Sequence, residues 1–95
     1  MSDSEARQAL PDIDFATFLL SLGSSALIHL GEMADPGTGK PEINLPLAKQ
    51  TIDIIAMLER KTDGNRDEAE DKLIMSLLYD LRIKFIDSQK SQAKK

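Results

Sequence analysis

The sequence predicts an all-α fold, a small domain of three helices. Two observations predict it. Apolar residues recur at three- and four-residue spacings in three separate segments, the repeat of a helix with one buried face. Between these segments lie two breaks rich in Gly, Pro, Asp and Asn, "EMADPGTGKPEI" and "TDGN", which are turn signals. No segment shows the apolar/polar alternation of a strand, and no internal repeat is present.

The first helix is expected from about Asp14 to Gly31, with Asp12 or Asp14 capping its free N–H groups and Gly31 stopping it. Phe15, Phe18, Leu19, Leu22, Ala26 and Leu30 share one face, and Leu20 and Leu27 widen it. A helix apolar over so much of its circumference is central to its domain or buried in an interface. Gly23, Ser24 and Ser25 add little bulk, so a neighbouring backbone can approach there.

The second helix is expected from about Leu45 to Lys61. Asn44 is its cap, and Pro46 is tolerated in the first turn. Ala48, Ile52, Ile55 and Leu58 form its stripe, widened by Leu47, Thr51 and Ile54. Lys49 and Asp53 are spaced for a weak ion pair. The third helix is expected from about Arg66 to Ser88, with Asn65 and Glu68 matching a capping box. Its stripe is Ala69, Leu73, Leu77, Leu81 and Phe85, joined by Ile74, Leu78 and Ile86. Glu68–Lys72 and Asp80–Lys84 place acid before base at the favourable four-residue spacing. The chain is therefore divided into a flexible polar leader, residues 1–11, one domain, residues 12–88, and a flexible basic tail, residues 89–95.

At 95 residues there is room for one domain with a modest core. Hydrophobic residues make up 41% and aromatics 4%, so that core is expected to be aliphatic, with Met33, Met57 and Met75 filling gaps. The formal net charge of −4 disfavours non-specific binding to nucleic acid or anionic membranes. Absence of cysteine excludes disulfides and thiolate chemistry and fits a reducing cytoplasm. The N-terminus lacks the basic start and apolar run of a secretory signal. The longest apolar segment, Phe15 to Leu30, is too short and too polar to span a membrane.

The segments "FATFLLSLGSSALIHLGE", "NLPLAKQTIDIIAMLERKTDGN" and "LLYDLRIKF" resemble the bacterial family catalogued as domain of unknown function 1844, over about Asp14 to Asp87. The resemblance implies a small helical protein. It supplies no activity, and so no catalytic residue to carry over.

Five candidate sites remain. "ADPGTGKP", Ala34 to Pro41, resembles a phosphate-binding loop, but Pro41 replaces the metal-binding hydroxyl residue and the loop follows a helix instead of a strand. A turn is the expected reading. His29, the single histidine, and Glu32, three residues on, are candidate metal ligands or an acid/base pair, with Asp35 as a third ligand; the bland reading is a partly buried imidazole with a hydrogen-bond partner. Lys49, Gln50 and Asp53 read as a solvated helix face. Tyr79 and Arg82 are residue types favoured at interface hot spots. Lys90, Lys94 and Lys95 offer contact with RNA or acidic protein, but lack the interleaved aromatics that stack bases.

The expected function is a non-enzymatic interaction or oligomerisation module in the cytoplasm, a homodimer with no cofactor, no membrane contact and no nucleic-acid partner; an unidentified protein partner is a further expectation. The alternative is a small-ligand or metal-binding protein using His29 and Glu32. The expected interface is on the first helix: Phe15, Phe18, Leu22, Gly23, Ser24 and Leu27.

Overall fold

The computed structural model describes residues 12–94; the leader expected over residues 1–11 lies outside them, as does Lys95. Three helices dominate: α1 (Phe15–His29), α2 (Leu45–Lys61) and α3 (Glu68–Ala93). A two-stranded antiparallel sheet, β1 (Leu30–Ala34) with β2 (Pro41–Ile43), connects α1 to α2. This hairpin corrects the all-α expectation. Both strands are short and nearly all their residues are exposed, so neither carries the alternation that a half-buried strand writes into sequence. Their register is irregular between the Leu30–Ile43 and Ala34–Pro41 pairs.

Helix α1 begins where the Asp14 side chain accepts from the Thr17 backbone N–H at 2.7 Å. The same N–H, with the Thr17 hydroxyl adding to it, holds the Asp14 carboxyl below the usual carboxylate range. Because the folded-state value is depressed, the charged cap stabilises the fold above the ordinary aspartate range, and that contribution is lost as pH falls through the folded value. Asp14→Asn keeps the cap without the charge. Acid unfolding of wild type should therefore lose stability relative to Asp14→Asn below about pH 4. Parallel stability curves for the two proteins would contradict this. At its other end α1 stops at His29, two residues before Gly31, which has φ +78°. An added Cβ at Gly31 would lie 2.7 Å from Ile43 Cγ1, so both the left-handed backbone and the packing of the hairpin require glycine.

Asn44 caps α2 through the Leu47 N–H at 3.1 Å, and its own N–H donates to the His29 carbonyl at 2.7 Å. One residue thereby starts α2 and ties it to the end of α1. For α3 the capping box is Asp67 with Glu70, bonded reciprocally at 2.8 Å, not Asn65 with Glu68. The helix runs on to Ala93, through most of the segment expected as a tail. Near that end the buried Ser88 hydroxyl donates to the Leu30 carbonyl at 3.3 Å, pinning α3 to the α1–β1 junction.

The core consists of Leu19, Ala26 and Leu30, then Ala48, Ile52, Ile55 and Ala56, then Ile74, Leu78 and Leu81. It is aliphatic as expected, but the methionines are not its gap-fillers: Met33, Met57 and Met75 are all exposed. Alanines take that role, letting α1 and α2 approach closely. Ala69 and Ile86, placed on the buried stripe by spacing alone, are exposed.

Arg66 was not singled out by sequence, yet its side chain is only 10% exposed. It donates to Asp71 Oδ1 at 2.6 Å, to the Thr62 hydroxyl at 3.0 Å and to the Glu59 carbonyl. One guanidinium thus satisfies a carbonyl in the last turn of α2 and an acid in the first turn of α3. The rigid donor fork of arginine suits it to bridging several acceptors at once.

Candidate functional site on the outer face of the third helix

The low-bulk segment of α1 is used inside the chain. Gly23 is buried, and an added Cβ would lie 2.9 Å from Leu77 Cδ2 of α3. Its small size admits α3 within the chain. Phe15, Leu22 and Leu27 pack against the same core. Of the six residues expected at the interface, Phe18 and Ser24 are the exposed ones. Phe18 and Leu20 are both exposed, but two residues on a helix lie about 200° apart around its axis. They do not join into one patch.

The continuous apolar surface is on α3 instead. Met75 is 63% exposed, Tyr79 68%, Ile83 42% and Ile86 49%. At 100° per residue these four fall within a sector of about 80°, opposite the buried Ile74, Leu78 and Leu81. With Glu59 of α2 they line a shallow groove of about 670 Å3, to which Arg82 adds its side chain. Tyr79 and Arg82 were legible as interface residue types. Met75, Ile83 and Ile86 were not, because α3 is apolar on both faces and spacing alone does not say which face turns inward.

The other candidates come apart. His29 is the last residue of α1 and partly buried; Glu32 and Asp35 follow on β1 and in the loop beyond it. The helix ends before Glu32, so the three-residue spacing no longer puts it on a helical face with His29. Among the described residues no group of three or more His, Cys, Asp or Glu side chains is placed to hold a metal. Lys49 and Asp53 form their ion pair at 2.7 Å with both side chains more than half exposed, a solvated pair of little energetic weight. Glu68–Lys72 also forms, at 3.1 Å; Asp80 and Lys84 make no ion pair among the described residues. Lys90 and Lys94 are exposed at the end of α3.

The loop resembling a phosphate cradle spends its donors on its own aspartate. Asp35 Oδ1 accepts from Gly37 N–H at 2.7 Å. The Asp35 carbonyl accepts from Thr38 and Gly39 N–H groups at 3.2 and 2.7 Å. These N–H groups point at a carboxylate and a carbonyl, and the loop opens into β2, not onto a helix N-terminus. Titration with millimolar ATP or GTP and magnesium should accordingly give no saturable binding. Saturation abolished by Lys40→Ala would overturn this reading of the loop.

The family model described as Domain of unknown function (DUF1844) matches residues 12–87. The chain belongs to this family. That match covers α1, the hairpin, α2 and α3 as far as Asp87, so the groove on α3 lies within the family's domain. Neither a curated protein nor a solved structure matches the chain significantly. No helix among the described residues is long and apolar enough to cross a membrane.

Proposed function

We propose that this DUF1844 protein is a non-enzymatic helical interaction module of the cytoplasm that associates with itself through the outer face of α3. One observation carries the reading: Met75, Tyr79, Ile83 and Ile86 form a single exposed apolar stripe on a helix whose opposite face is already committed to the core. Contiguous apolar surface of this kind marks an interaction site in a soluble protein, and the pairing of tyrosine with arginine at its centre is typical of interface hot spots. The groove is open and shallow, a poor shape for enclosing a small ligand. Nothing in the arrangement of His29, Glu32 and Asp35 favours the ligand-binding alternative.

The test is molar mass by light scattering across a wide range of protein concentration. Wild type should pass from one chain to two as concentration rises. Tyr79→Asp, which buries a charge in the association surface but sits on the outside of the folded chain, should shift that transition at least tenfold upward while leaving helical content unchanged. A wild type that stays monomeric into the high micromolar range would end this reading.

A further inference from the structure

We infer that two copies of the chain pair their α3 helices antiparallel about a two-fold axis, which crosses α3 between Asp80 and Leu81. This rests on the reading of the α3 face as a self-association surface and adds its partner's orientation and register. The seam residues carry the argument. Met75, Tyr79, Arg82 and Ile86 are separated by four, three and four positions, a spacing that is the same read in either direction. These intervals are those of the two inward positions of a coiled-coil seam. Under a two-fold axis Met75 meets the partner's Ile86, and Tyr79 meets the partner's Arg82. The second pairing sets a guanidinium beside an aromatic ring, a favourable contact when desolvated. A closed dimer requires such a self-complementary patch.

Charge selects the direction. The first turn of α3 is acidic, with Glu68, Glu70 and Asp71, and Asp67 precedes it. The last turn carries Lys90, and Lys94 is the C-cap. Antiparallel pairing brings each acidic end beside a basic end and opposes the helix dipoles. Parallel pairing would stack acid on acid and base on base. Beyond the apolar stripe the next seam positions are Lys72 and Gln89, both exposed, which limits the dry part of the contact to the middle of the helix.

The chain contains no cysteine, so an introduced thiol is the single one in each protomer. In the antiparallel register Lys72 of one copy faces Gln89 of the other. The two copies of residue 72 are then separated by about 26 Å along the axis, from 1.5 Å per residue, whereas a disulfide needs Cα atoms within about 7 Å. Lys72→Cys and Gln89→Cys are purified separately, checked for wild-type helical content by circular dichroism, and oxidised mildly alone and mixed. The expected result is a disulfide-linked pair in the mixture and little in either variant alone. Self-linking of Lys72→Cys alone would mean parallel pairing and would overturn the inference while leaving self-association intact. Dimers by light scattering with no linkage in any sample would place the contact elsewhere and overturn it too. Monomers in every sample would overturn both this inference and the proposed function.

Discussion

Leu78→Ala is expected to lower the unfolding free energy by about 2–5 kcal/mol, whereas Tyr79→Ala, one residue along the same helix, is expected to change it by less than about 0.5 kcal/mol. Leu78 is 1% exposed, at the centre of the core shared by the three helices. Truncation there removes buried methyl groups and leaves a cavity that rigid neighbours only partly close. For a domain of this length the loss corresponds to a fall in Tm of at least about 8 °C. Tyr79 is 68% exposed, so its ring contributes to association and little to the folding of one chain. Thermal unfolding must be compared at one low protein concentration, because association adds its own stabilisation. If Tyr79→Ala cost as much as Leu78→Ala under those conditions, α3 would present a different face to the core.

Arg66→Ala is expected to cost about 2–3 kcal/mol, the magnitude of hydrogen bonds to a charged group whose partners lose their donor. The Glu59 carbonyl and the Thr62 hydroxyl both lose a bond, and Asp71 loses its counter-charge. Arg66→Lys should recover only part of the loss, since an ammonium does not reproduce the fork that reaches all three acceptors. Urea unfolding of the three proteins gives the comparison through the shift in midpoint at constant slope. A change below about 0.5 kcal/mol, ordinary for a surface site, would show that the α2–α3 turn holds without its guanidinium.

These substitutions separate the two ways in which this chain depends on α3: Leu78→Ala and Arg66→Ala weaken its attachment, and Tyr79→Ala weakens association. Leu78 and Arg66 secure α3 to α1 and α2; the stripe from Met75 to Ile86 stays exposed beside Glu59 of α2. A helix that is apolar on two sides has one side available for another chain, and α3 is held at its start by Arg66 and near its end by the Ser88 contact with Leu30. That rigid mounting means association need not order the helix first, so little of the gain from burying the stripe is offset by lost conformational freedom.

The limits of α2 were legible in the sequence because local chemistry sets them. Asn44, Pro46 and the apolar repeat from Ala48 act within a few residues of one another, and each favours the same helix. The stop of α1 at Gly31 and the Lys49–Asp53 pair are legible for the same reason. The hairpin was not, since Leu30–Ala34 and Pro41–Ile43 are strands by virtue of pairing with each other, and Leu30 is the one buried side chain they contribute. The capping box of α3 shifted from Asn65 to Asp67 because Arg66 is drawn back onto α2 before the helix can start, a contact across seven residues that no short motif records. The same holds for the candidate site. Composition identified Tyr79 and Arg82 as interface types, but it also nominated Gly23, whose small size serves Leu77 of the same chain. Periodicity shows that α1 and α3 each carry more apolar surface than one face needs. Which part of it is left over is decided only by packing, because three helices must share one core and whatever they do not cover remains for another molecule.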